Sequence, residues 1–230
     1  MSGRVPARYD IPPAELFAAE IRSLLRPGLR ILDVGSGRRP VLAPAERPPG
    51  ARYVGLDLSA VELAAAPPGS YDEAIAADVA ARETELEGQF DLAVSGQVFE
   101  HVRPLHRALV NVHDYLRPGG GMVALLSGRY SINGVLNTLL PAGVAVRLMR
   151  RLLHREPESV FPAYYDSCYE SALAKLLAPW SQARVTPLFQ GGAYLNFALP
   201  LRSAYFVYEN WAERSGRANL ATHYVIVALR

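Results

Sequence analysis

Arg30-Ile31-Leu32-Asp33-Val34-Gly35-Ser36-Gly37 is the stretch that decides the fold. An apolar run of strand type carries an acid and then turns through two glycines. Glycine takes positive φ and lets a ligand approach bare backbone. The turn therefore reads as the mouth of a βα unit that holds a nucleotide-like cofactor at the C-terminal end of a strand. Gly-x-Gly after a strand is by itself a weak signal, and the segments around it sharpen it.

Outward from that turn, a second apolar strand, Tyr53-Val54-Gly55-Leu56, ends in Asp57. Asp57 follows the glycines by about 20 residues, where such folds place the acid that takes both ribose hydroxyls. A carboxylate suits this work because it accepts from two donors at once. A third segment, Glu73-Ala74-Ile75-Ala76-Ala77, ends in Asp78, and a fourth, Phe90 to Gln97, runs into Val98-Phe99-Glu100-His101-Val102. Leu116-Arg117-Pro118-Gly119-Gly120-Gly121-Met122-Val123 then follows a helical stretch and opens a fifth strand.

In this order and spacing, ILDVGSG, YVGLDLS, AADV, FDLAVSGQVFEHV and LRPGGGMVALL resemble a class I S-adenosylmethionine-dependent methyltransferase of the type 11-like family. The resemblance is close over roughly residues 29 to 127 and looser elsewhere. It implies an α/β, Rossmann-like fold: a seven-stranded, mostly parallel sheet with an antiparallel last strand, helices on both faces and a small helical lid. It implies S-adenosyl-L-methionine as cofactor and S-adenosyl-L-homocysteine as product. The cofactor contacts it implies are Asp33, Gly35, Ser36, Gly37, Asp57, Leu58, Asp78, Val79, Ser95 and Gln97. Asp33 would orient the glycine loop and the methionine amino group. Asp78 either accepts from the adenine amino group, with the Val79 amide on a ring nitrogen, or merely caps the segment after it. The competing reading is a nicotinamide or flavin dehydrogenase. It requires a third glycine where Pro40 stands.

The chain has 230 residues, net charge +2, half its residues hydrophobic and 20% charged. This fits one domain, 1–230, with 128–166 as a lid on the acceptor side. It is not a disordered composition, and the mild positive charge does not argue for a nucleic-acid partner. Cys168 is the sole cysteine, so neither an internal disulfide nor a cysteine-based metal site is available. The polar, proline-broken start does not resemble a signal peptide. No stretch reaches the roughly 18 apolar residues of a membrane span. A cytoplasmic protein is the expectation.

Met1 to Asp10 reads as a loose arm, with Tyr9 either folding over the cofactor or lying at the surface. Pro12-Pro13-Ala14-Glu15 opens a helix to about Leu25, with Leu16, Phe17, Ile21, Leu24 and Leu25 on its packed side. After Gly37 the prolines at 40, 44, 48 and 49 forbid the long helix that commonly follows. That form resembles methyltransferases linked to surface-sugar or secondary-metabolite pathways. Ser59 caps a short helix, and Arg103 to Leu116 is helical. Arg147 to Arg155 forms a basic amphipathic helix: a lid with a solvated arginine face, or a peripheral contact with an anionic substrate or membrane surface. Tyr194 to Trp211 is an aromatic insertion, partly helical, that walls a pocket or forms a homodimer contact.

Methyl transfer from a sulfonium is an in-line displacement, in which positioning contributes up to about 7–11 kcal/mol. A hydroxyl acceptor also needs a base. His101, at the carboxyl edge of the fourth strand, is the candidate catalytic residue. Alternatively, Glu100-His101 is a structural pair, and His154, Tyr165 or Asp166 carries the base. Amino-methylation of nucleic acid goes with Asn/Asp-Pro-Pro-aromatic where this chain has Ser95-Gly96-Gln97-Val98, so that class is set aside. No metal is implied. The expected reaction is O-methylation of a small molecule such as a sugar or secondary-metabolite hydroxyl. The alternatives are a non-catalytic, cofactor-binding partner subunit and a C- or N-methyltransferase of a metabolite.

Overall fold

The computed structural model describes residues 5–132, 134–135, 163–195 and 198–230. Seven strands form one sheet: β1 (Arg30–Val34), β2 (Arg52–Asp57), β3 (Glu73–Ala76), β4 (Phe90–Gly96), β5 (Leu116–Ser127), β6 (Gln182–Leu188) and β7 (His223–Leu229). Their spatial order is β3-β2-β1-β4-β5-β7-β6. Strands β1 to β5 pair in parallel, whereas β7 is antiparallel to both β5 and β6. The chain runs outward from β1 through β2 to β3, then returns to β4 on the other side of β1. That reversal opens a crevice at the carboxyl ends of β1 and β4, where open α/β sheets bind their ligands.

The apolar runs seen in the sequence are buried on both faces of the sheet, as parallel strands require. Alternation sends Ile31 one way and Leu32 the other. Ile31, Leu92, Val94, Val123, Leu125 and Val225 pack with Phe17 and Ile21 of α1 (Pro13–Leu24). Leu32, Val34, Ala93, Met122, Ala124, Tyr224 and Ile226 pack on the opposite face. Their partners there are Leu105, Leu109, Val112 and Tyr115 of α3 (Leu105–Tyr115) and Leu173 of α4 (Glu170–Leu176). The short α2 (Ala60–Ala64) starts on Ser59, whose Oγ accepts from the Glu62 amide at 3.2 Å.

Three segments differ from the sequence reading or refine it. Arg117 to Gly120 does not end one element before another begins; it is looped out within β5. Phe90 pairs with Leu116 and Leu92 with Gly121, so the turn residues are absorbed as a bulge. The residues after Gly37 contain only a 3-10 turn, Pro44–Glu46, before β2. Arg47 holds this loop by donating to the Leu42 and Ser70 carbonyls, with its guanidinium 3.9 Å from the Tyr53 ring centroid. The aromatic stretch after β6 is a 3-10 turn, Gly191–Leu195, followed by the 16-residue α5 (Leu199–Arg214).

The N-terminal segment is also not loose over residues 5–10. Arg8 donates Nε to the Phe189 carbonyl and a guanidinium nitrogen to Asn210, each at 2.6 Å, and pairs with Glu209 at 3.3 Å. Tyr9 donates its hydroxyl to Glu209 at 2.5 Å and meets the Phe206 ring edge-on. Its hydroxyl is thus committed to α5. Glu209 is only 1% exposed and also accepts from the Gly191 amide at 2.6 Å. No local signal in the sequence marks this cluster, because Arg8 and Tyr9 lie about 180 to 200 positions from the residues they bind.

Among the described residues, no helix is long and apolar enough to cross a membrane. The basic helix expected at 147–155, His154 and most of the proposed 128–166 lid lie outside the described residues.

Candidate functional site

The cofactor-side residues collect where β1, β2 and β4 end. Gly35 and Gly37 adopt φ of +73° and +47°, the left-handed region that favours glycine. The Gly35 amide donates to the Leu56 carbonyl at 2.7 Å, tying the turn to β2. A Cβ on Gly35 would fall 2.3 Å from Val98, so the turn also packs against the segment following β4. A Cβ on Gly37 would lie 3.4 Å from the Asp57 carboxylate, so bare backbone faces that acid. Ser36 between them is buried.

Asp33 is completely buried. Its Oδ2 accepts from the Tyr53 hydroxyl at 2.6 Å and from the Val41 amide at 2.7 Å, which anchors the loop after the glycines. Its Oδ1 has no hydrogen-bond partner among the described residues. Burial pushes the carboxyl up to about 7, against the opposing pull of the Tyr53 and Val41 bonds. A buried acceptor with an unspent lone pair costs free energy until a donor arrives. Here it lies beside a glycine turn. Asp57 keeps its Oδ1 on the Ser59 amide at 2.8 Å and is half-buried. Leu58 beside it is 74% exposed, an apolar side chain held in solvent just past the end of β2. Asp78 is exposed, and its Oδ1 accepts from the Ala80 amide at 2.8 Å, so this acid does cap the next segment. Val79 is buried and accepts at its carbonyl from Asn111 at 2.9 Å. Ser95 is buried, with its hydroxyl on the Val34 carbonyl at 3.2 Å. These residues thus fit a ligand carrying a donor for Asp33, hydroxyls for Asp57 and a flat apolar face for Leu58.

A second group lies at the ends of β4, β5 and β7. Gln97 takes φ +60°, a strained conformation for a side-chain-bearing residue. Its Oε1 accepts from the Ser127 hydroxyl at 2.7 Å. His101 closes the 3-10 turn Phe99–His101 and is half-buried. Glu100 is buried, its Oε1 on the Ser127 amide at 3.3 Å and its Oε2 without a partner among the described residues. Burial raises this carboxyl to about 7. The Glu100 carbonyl accepts from the amides of Tyr164 and Tyr165. Tyr165 and Ser167 both have positive φ, and Asp166 between them accepts from the Leu105 amide at 3.0 Å. Asp166 is therefore engaged at the start of α3.

Sequence reasoning passed over two residues here: Glu100 as a buried acid in its own right, and His223 at the start of β7. The Glu-His pair was visible in the sequence, but nothing local signals that the glutamate turns inward. Among the described residues, no cluster of His, Cys, Asp and Glu is suited to hold a metal ion.

Comparison with known proteins agrees with this arrangement. A family model described as a methyltransferase domain matches residues 8–167. The ubiquinone biosynthesis O-methyltransferase of Chelativorans sp. (strain BNC1) is 28% identical over 149 residues, covering 63% of this chain and 58% of that protein. Its namesake from Rhodopseudomonas palustris (strain TIE-1) is 30% identical over 139 residues, covering 59% and 54%. The chain thus spans between half and three fifths of the length of these curated relatives. Among solved structures, an S-adenosylmethionine-dependent methyltransferase from Mesorhizobium loti superimposes with a TM-score of 0.54 at 20% identity, covering 96% of this chain and 99% of that one. Phosphoethanolamine N-methyltransferase 2 of Haemonchus contortus, in complex with S-adenosyl-L-methionine, gives 0.54 at 15% identity, covering 94% and 52%. These structural likenesses establish the shared fold. With a family model covering most of its length, a β7 set antiparallel between β5 and β6, and a glycine turn facing an acid on β2, the chain belongs to the methyltransferase domain family.

Proposed function

We propose that the protein is an S-adenosylmethionine-dependent O-methyltransferase acting on a hydroxyl of a small molecule. The observation that carries this is the Asp33 carboxyl, buried beside the glycine turn with Oδ1 unspent, and Asp57 facing the same turn. The O-methyltransferase names of the curated relatives support the choice of oxygen as acceptor atom.

When bound, S-adenosylmethionine supplies an electrophilic methyl group on a sulfonium. Asp57 would accept from the two ribose hydroxyls. Asp33 Oδ1 would receive the amino group of the methionine moiety, and an ammonium there would draw the buried carboxyl back to its ionised form. Leu58 would cover the adenine, with Asp78 and the Val79 amide as further contacts. Gly35, Ser36 and Gly37 would give the close backbone approach, with Ser95 and Gln97 on the acceptor side. His101, just past β4, would take the proton from the acceptor hydroxyl. A base so placed contributes about 10²–10⁴-fold.

The test is incubation with methyl-labelled S-adenosylmethionine and catechol, an uncharged phenolic probe, followed by detection of S-adenosylhomocysteine and labelled methyl ether. His101→Ala is expected to keep S-adenosylhomocysteine affinity and lose turnover by at least about 100-fold. Normal turnover in that variant would remove His101 as the base. Absence of turnover in the parent chain, with binding intact, would favour a non-catalytic, cofactor-binding subunit.

A further inference from the structure

His223 opens β7 and stands in register opposite Ser127, the last residue of β5. Residues paired in this way project to the same face of an antiparallel sheet. Val225, two positions after His223, and Leu125, two positions before Ser127, face α1, so His223 and Ser127 share that face at the carboxyl edge of β5. His223 is 8% exposed. Its Nε2 lies 3.4 Å from the Tyr194 hydroxyl, and its Nδ1 is buried with no hydrogen-bond partner among the described residues. Ser127 in turn donates its hydroxyl to Gln97 and its amide to Glu100, whose Oε2 is likewise unspent. Two polar atoms left unsatisfied around one strand end are unusual, because a buried donor or acceptor is normally paired.

Resting on the methyltransferase reading above, we propose that His223 is the positioning residue for the acceptor. In this proposal Nδ1 hydrogen-bonds an uncharged hydroxyl-bearing ring, and Tyr194 orients the imidazole from its other nitrogen. The chemistry of the surroundings selects the ligand class. Burial alone pushes His223 down to about 4, so at neutral pH it is a neutral imidazole with one nitrogen accepting and one donating. Ser127, Gln97 and Tyr194 bring hydroxyl and amide groups without formal charge. An anionic acceptor buried here would need a positive charge that these groups do not provide, and Glu100 on the Ser127 amide would oppose it. A phenol-like hydroxyl needs only one hydrogen bond and an apolar wall, and Tyr194 supplies such a wall beside the imidazole, with ring centroids 6.5 Å apart.

The test uses catechol on the full chain saturated with S-adenosylhomocysteine, with anionic 3,4-dihydroxybenzoate as comparison. Three variants divide the imidazole by atom: His223→Asn keeps a polar atom near Nδ1, His223→Gln keeps one near Nε2, and His223→Phe keeps neither. Expected results are catechol binding in the parent and within about threefold of it in H223N. Losses of at least about tenfold are expected in H223Q and H223F, roughly the 1.4 kcal/mol of one hydrogen bond. S-adenosylhomocysteine affinity is expected to stay unchanged throughout. The ¹⁵N resonance of His223 Nδ1 is expected to shift on catechol addition at constant pH. Equal catechol affinity in all four proteins, no binding of catechol, or a tenfold preference for dihydroxybenzoate would each overturn the proposal. Loss of S-adenosylhomocysteine binding in the parent chain would instead remove the methyltransferase reading, and this proposal with it.

Discussion

The two ends of the crevice are built differently. On the cofactor side, around β1 and β2, the site comes from short local pieces. These are a glycine turn at 35–37, an acid ending β2 and a buried Asp33 that ties down the loop after the turn. On the side proposed for the acceptor, around β5, β7 and α5, groups distant in sequence converge: Arg8 and Tyr9 on Glu209, Glu100 on Ser127, and Tyr194 on His223. The first arrangement can be specified by a motif, because strand, turn and acid are adjacent in the chain. The second exists only after the sheet has formed. Substitutions on the cofactor side are therefore expected to change affinity with modest effects on stability, and those on the acceptor side to do the reverse where they touch the Glu209 cluster.

Glu209→Ala gives the largest expected effect. It leaves Arg8, Tyr9 and the Gly191 amide facing a void, and breaking a buried ion pair in this way costs about 3–5 kcal/mol. Urea unfolding measures the loss, and an effect under about 1 kcal/mol would mean the N-terminal segment is not held as described. Asp57→Ala comes next and lies on the other side of the comparison. Removing an acceptor of two hydroxyl hydrogen bonds is expected to weaken S-adenosylhomocysteine binding by about 100-fold, within the range of charge-assisted bonds. Its unfolding free energy is expected to change by less than about 1 kcal/mol.

The third prediction concerns pH. Glu100 titrates at about 7 in the folded protein, and near its ordinary value of 4.5 in the unfolded chain. The folded state therefore holds a proton that the unfolded state has released between those values. Stability through this group is unaffected below about pH 4.5 and falls as pH rises to about 7. Asp33 acts in the same direction, between 3.8 and about 7. His223 acts oppositely, because its folded value of about 4 lies below 6.5; its contribution is complete above 6.5 and is lost as pH falls toward 4. Glu100→Gln is therefore expected to match the parent at pH 4.5 and to exceed it at pH 8, by about 2–3 kcal/mol. Equal curves at both pH values would show that the acid is not held neutral.

Gly35→Ala is the smallest of the four. The left-handed φ and the approach to Val98 together cost on the order of 2 kcal/mol, and cofactor affinity is expected to fall with stability. An unchanged melting temperature would mean that the turn relaxes freely.

The parallel strands β1 to β5 were legible in the sequence because each runs within two residues into an acid or a glycine. Ser59 could be recognised as a cap because capping is local. The absence of a long helix after Gly37 followed from proline chemistry. The pinned N-terminus could not be read, since neither Arg8 nor Glu209 carries any local mark of the other. The inward turn of Glu100 depends on where β5 ends beside it, and the meeting of His223 with Ser127 on the register of β7 against β5. Periodicity places residues on faces, but it does not report which ends meet across a mixed sheet.

The central claim is that the glycine turn and Asp57 form an S-adenosylmethionine site. Calorimetric titration with S-adenosylhomocysteine, with NADH as the comparison ligand, tests it most directly. The account predicts micromolar binding of S-adenosylhomocysteine, no binding of NADH, and loss of the signal in Asp57→Ala. Binding of NADH alone, or S-adenosylhomocysteine binding that survives Asp57→Ala unchanged, would contradict it.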